Sequence, residues 1–136
     1  LRDHDLPHPA LVALPPRGDT RRRLAALRRL ARAADACGLA RGRVVVLGAD
    51  WLVMEALEAL GFGALLLCNP RQLSVAEVVQ IAAHHDPRRL ALGSGIAEGP
   101  ADVLALPKLA VALSEAGHPH EDIQRMLYGN ALRLFL

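Results

Sequence analysis

The sequence predicts a single α/β domain built on four parallel strands, each followed by a helix, with one further helix to close it. Three observations carry that prediction. Hydrophobic residues make up 52% of the 136, yet aromatic ones only 3%. The core is therefore Leu, Val and Ala, which suits parallel strands under Ala/Leu-rich helices better than a sandwich or an OB-fold. Four short apolar runs recur, and each is followed by a turn signal and then a helical pattern. The clearest of them, Arg43 to Leu47 (RVVVL), is apolar on consecutive residues, as a strand buried on both faces is. Right-handed crossovers then make the strands neighbours in chain order. The length suffices for one core but falls short of the roughly 250 residues of a whole (β/α)8 barrel.

Taken in order, residues 1–9 are a polar lead-in and residues 10–136 the domain. His4 and His8 are spaced to share a helix face, but Pro7 and Pro9 oppose a helix there, so no metal role is assigned to them. Ala10 to Leu14 is the first strand, stopped by Pro15-Pro16. Gly18-Asp19-Thr20 opens a helix to about Cys37, with Leu27, Leu30, Ala31 and Ala34 as its apolar stripe, Arg21, Arg22, Arg28, Arg29 and Arg32 largely on the rest, and Gly38 as its stop. After RVVVL, Gly48-Ala49-Asp50 turns the chain into a helix from Trp51 to Leu60, with Asp50 as N-cap. Gly61-Phe62-Gly63 leads to a third strand, Ala64 to Cys68. Asn69-Pro70 turns, and Ser74 with Glu77 makes a capping box for a helix through about His85. The fourth strand is Leu90 to Gly93, a helix runs from Val103 to about Glu115, and the last helix, Glu121 to about Tyr128, ends at Gly129-Asn130.

Composition also excludes. Cys37 and Cys68 are too few for a disulfide framework or a zinc ribbon, and point to a reducing, cytoplasmic setting. No apolar run reaches the roughly 18 residues of a membrane span, so no membrane partner is expected. Residues 1–43 carry ten Arg against four acids, and the rest six basic against ten acidic groups. That asymmetry reads as a solvated Arg-rich helix face. No aromatic is interleaved with Arg21-Arg22-Arg23 to stack on bases, so no nucleic-acid partner is assigned. The chain begins at Leu1 rather than Met, which we read as a processed product or a piece of a longer polypeptide.

The stretch from Arg89 to Lys108 organises the candidate site. Ligands and chemistry collect in loops that leave the C-terminal ends of strands, here Ser94 to Asp102. Gly93-Ser94-Gly95 offers backbone N–H groups to a small phosphate-containing ligand. Glu98 and Asp102 add carboxylates, with Asp102 expected at the N-cap of the following helix, and Asp50 and Asn69 stand at the neighbouring strand ends. Ser94, Gly95, Glu98, Asp102, Asp50 and Asn69 are thus the ligand-binding candidates. No Walker loop, GxGxxG, HExxH, CxxC or GxSxG is present, and no residue is assigned a catalytic role. His84-His85 reads as a helix C-terminal cap, and His118 and His120 as exposed in a turn. Trp51 either covers the core or lines a pocket.

From about Leu11 to Phe135 the sequence resembles the C-terminal half of TatD-like metal-dependent hydrolases, which are amidohydrolase-type TIM barrels. The strongest match is Gly99-Pro100-Ala101-Asp102-Val103-Leu104-Ala105-Leu106-Pro107-Lys108, similar to the family's stretch after strand eight. Pro70 to Ser74 resembles the loop after strand seven, and Gly38 to Val45 the approach to strand six. Asn130 to Phe135 is similar to the closing Asn-Pro…Phe, with Ala131 in place of Pro. The resemblance implies a parallel (β/α)4 half-barrel. It also implies divalent metal, such as zinc, held at the strand ends to activate water against an ester or phosphodiester.

The family's ligand positions after strands five, six and eight fall at Ala13, at Gly48, and at Gly95 or Ala97. None of these has a donor side chain, and Glu98 with Asp102 alone would make a weak, water-rich site. No cofactor is therefore expected in this chain. The expectation is a divergent, non-catalytic scaffold or binding module, completed as a homodimer or by a missing N-terminal half-barrel. The alternatives are an active metal-dependent hydrolase whose site that missing half or a partner chain completes, and a phosphate-ligand module built on Gly93-Ser94-Gly95.

Overall fold

The computed structural model describes residues 9–15, 18–95 and 99–135. It is an α/β structure around one four-stranded parallel sheet, in the order β1-β2-β3-β4. The elements are β1 (Ala10–Ala13), α1 (Thr20–Cys37), β2 (Val44–Leu47), α2 (Trp51–Ala59), β3 (Gly63–Leu67), α3 (Val75–His84), β4 (Leu90–Gly93) and α4 (Ala105–Glu115). A last helical stretch follows: α5 (His120–Gln124), a π-helical turn (Arg125–Gly129) and α6 (Asn130–Phe135). Short 3₁₀ turns, Arg41–Arg43 and Pro87–Arg89, lead into β2 and β4.

Each of the first three helices begins where its sequence supplies an acceptor for its orphan N–H groups. Asp19 accepts from Arg22 N–H at 3.0 Å and caps α1, Asp50 accepts from Leu52 N–H at 3.1 Å and caps α2, and Ser74 and Glu77 form the reciprocal box of α3. At the other end of α1, Gly38 takes φ +70, a left-handed conformation that lets its N–H turn back on the last helical carbonyls.

The core lies between one phase of the strands and the helices. Val44, Val46, Ala64, Leu66, Leu90 and Leu92 pack with Leu27 and Ala31 of α1, Val53 and Leu57 of α2, Val78 and Ile81 of α3, and Leu109 and Leu113 of α4. The alternate strand residues stand outside that cluster. Val45, Leu67 and Ala91 are buried, Leu47 and Leu65 half-buried, and Leu11 on the edge strand is 47% exposed.

Two sequence expectations need correction. Helix α4 starts at Ala105, not Val103, and its N-cap is Leu104, not Asp102. The Asp102 carboxylate accepts from Leu104 N–H at 2.9 Å, and Ala105 N–H donates to the Asp102 carbonyl at 3.0 Å. Both bonds close a turn just ahead of the helix, so Asp102 acts one turn early. Gly129-Asn130 does not end the last helix. The chain widens into a π turn there, with Asn130 N–H on the Arg125 carbonyl, and continues helical. Of the two readings of Trp51 the pocket holds: it is 44% exposed, meets His84 edge-on at 5.1 Å beside His85 at 6.3 Å, and lines a cavity with Glu55 and Glu58. His4, His8 and Glu98 lie outside the described residues.

Candidate functional site

At the C-terminal ends of the strands the loop after β3 is the organising piece. Asn69 Oδ1 accepts from the N–H groups of Arg71 and Gln72, both at 3.0 Å, which holds a tight turn. Its Nδ2 donates across to the Ser94 carbonyl at 3.2 Å, tying the β3 loop to the β4 loop. Gly95 follows with φ +65, and a Cβ there would stand 2.7 Å from Asn69 Nδ2. Two of the predicted residues are thus joined directly, and the glycine is required twice over, by conformation and by space. Gly95→Ala is expected to lower stability by roughly 1–2 kcal/mol from the left-handed backbone alone, and further by displacing Asn69. Thermal melts of this variant and of the double variant with Asn69→Ala should show less than additive loss.

A cavity of about 360 Å³ opens beside this turn, lined among others by Cys68, Asn69, Ser74, Glu77 and Asp102. Asp102 forms an ion pair with Lys108, a residue of the same motif that sequence reasoning quoted without giving it a role. Lys108, and then Leu104 N–H, hold the Asp102 carboxyl below its ordinary 3.8. Burial pushes the Cys68 thiol up, and the Asp102 and Glu77 carboxylates push it further. A thiol held protonated is a poor nucleophile and a poor metal ligand. Ser74 and Glu77 are already engaged with each other as the helix cap.

Asp50 does not line this cavity. Its carboxylate meets Arg23 Nη1 at 2.8 Å, and Arg23 Nη2 donates to the Gly48 carbonyl. Arg23 is 1% exposed. It sits four residues before Leu27, in phase with the buried stripe of α1, and that spacing was the available signal for it.

The implied metal does not fit. Ala13, Gly48 and Gly95 carry no side-chain donor, and the Asp102 carboxylate is committed to Leu104 N–H and Lys108. Among the described residues no three His, Cys, Asp or Glu side chains gather in a way that would hold a metal ion.

Asp86 is also held below 3.8, by its bonds to the Arg88 side chain and then its backbone N–H. For both aspartates the folded value is the depressed one. Their stabilisation is therefore present above the unfolded value and lost as pH falls through the folded one. Urea melts should show stability level from neutral down to about pH 5 and falling below it, with a slope that salt reduces. A rise on acidification would contradict these ion pairs.

No helix of the described chain is long and apolar enough to cross a membrane. Both cysteines are free, Cys37 exposed and Cys68 buried. No protein-family model matches the chain, nor does a curated protein or a solved structure.

Proposed function

We propose that this chain is a divergent (β/α)4 half-barrel of the TatD-like type that serves as a non-catalytic binding scaffold. The observation that carries the reading is the state of the polar groups at the strand ends. Asp50 neutralises a buried arginine, Asn69 staples two loops, and Asp102 braces the entry to α4. Each of these three side chains is already engaged within the fold. The TatD-like kinship rests on the sequence pattern alone.

The sheet supports the partner half of the reading. β1 pairs on one side only, and Leu11, Leu47 and Leu65 on the face outside the core remain partly open to water. A second copy or an N-terminal half-barrel would cover them. The free thiols fit a cytoplasmic setting.

Two measurements test this. Elemental analysis after exposure to zinc, manganese and magnesium should find far less than one metal per chain, and light scattering should find a dimer. Stoichiometric metal with phosphodiesterase activity would instead establish the hydrolase reading. A stable, soluble monomer at high concentration would overturn the half-barrel completion.

A further inference from the structure

The cavity beside Trp51 has a volume of about 530 Å³ and lies between α2 and the end of α3. Trp51, Glu55, Glu58 and Ala59 follow one another at four, three and one residues, so they share one face of α2. It is not the face that carries Val53, Met54 and Leu57 into the core. His84 and His85 close the cavity from the other side. All six lining residues come from the helix layer, so the cavity needs nothing from the sheet face that holds Leu11, Leu47 and Leu65.

The lining is rich in acceptors and poor in free donors. His84 Nδ1 lies 3.0 Å from the Gln80 carbonyl. A carbonyl only accepts, so that bond puts the proton on Nδ1, and in the neutral ring Nε2 is an acceptor. Glu58 is engaged by His85 Nδ1. Glu55 is therefore the carboxylate of the lining that has no hydrogen bond or ion pair among the described residues. The His84 ring stands at 88° to the indole, and a perpendicular ring shields at most one indole face. These acceptors do not converge on a point: among the described residues no three His, Cys, Asp or Glu side chains gather to hold a metal ion. What they border is a space of small-molecule size.

We propose that this cavity binds a small organic ammonium cation. The electron-rich face of an indole attracts a cation, and recognition of alkylated ammonium groups is the functional use of that attraction. Glu55, one turn along the helix from Trp51, supplies the counter-charge that Glu58 spends on His85. The site is separate from Asn69, Ser94 and Asp102, and it does not depend on how the sheet is completed.

Trp51 is the one tryptophan of the chain, so its emission reports on the cavity directly. The test titrates the full chain with choline chloride and with neohexyl alcohol, its uncharged carbon isostere, at ionic strength matched with sodium chloride. Amide chemical shifts are recorded in parallel. Choline is expected to change the Trp51 emission saturably in the millimolar range, with shifts concentrated at Trp51, Glu55 and His84, and the alcohol to leave both unmoved. Trp51→Leu, followed by the shifts, should weaken binding about fivefold. Glu55→Gln should weaken it about threefold, the scale of an exposed ion pair, and it removes no contact of the fold, so it reads the site even if Trp51→Leu does not fold. Emission that never saturates overturns the proposal. So does an alcohol that binds as well as choline, a Glu55→Gln variant that binds choline as the unaltered chain does, or shifts confined to the Asn69 and Ser94 loops.

Discussion

Asp50→Ala is expected to cost about 3–5 kcal/mol, the range for removing one member of a buried ion pair. Arg23 is almost wholly buried, and its Nε finds no hydrogen-bond partner among the described residues. The guanidinium is therefore held by the Asp50 carboxylate and the Gly48 carbonyl. Taking the carboxylate away leaves a buried cation without that counter-charge and strips the cap from α2 at Leu52 N–H. Urea unfolding measures the loss. The double change Arg23→Met with Asp50→Ala should recover part of it, because the buried charge leaves with its counter-charge while the lost cap of α2 remains. A loss below about 1 kcal/mol, the range of exposed pairs, would mean that Asp50 is spare and would return it to the ligand-binding candidates.

Asn130→Ala should cost about 2–4 kcal/mol, since each buried acceptor left without its donor is worth roughly 1–3. The Asn130 amide is buried and gives both protons away, to the Pro87 and Leu90 carbonyls at 2.7 Å each. The Leu90 carbonyl belongs to β4, the last strand of the sheet, so one side chain quiets part of a strand edge that would otherwise be open. Asn130→Asp should be no better, because a carboxylate has no proton to offer two carbonyls. Thermal melts with hydrogen exchange at β4 would read both effects. Full stability in Asn130→Leu would show that the two carbonyls find other donors.

The strands and the first three helices were legible because their signals are local. RVVVL, the Ser74–Glu77 box and the caps at Asp19 and Asp50 each act within a few residues, and the structure places them within a residue or two of where the sequence does. What escaped depends on distant partners. Arg23 falls in phase with the buried stripe of α1, but what holds its charge there is Asp50, 27 positions on. Trp51 was open to two readings, core cover or pocket wall, and only His84 and His85, at the end of the next helix, decide for the pocket. Asp102 was read as the cap of α4 and is not, since a carboxylate serves the N–H two residues on as readily as a helix end.

The π turn between Arg125 and Gly129 has a consequence for chain length. Upstream of it and within it, Ile123 and Met126 must face the core; downstream, Asn130 must face a strand edge and Arg133 the Arg88 carbonyl. One α-helical phase advances by roughly 100° per residue, and the widened turn supplies the odd residue that lets one continuous segment satisfy both faces. Deleting a single residue there would restore an ordinary helix with its core side still seated. It would also swing the Asn130 amide and the Arg133 guanidinium away from their carbonyls together. The number of residues in this segment, as well as the identity of Asn130, is what ties the last helix to the sheet edge.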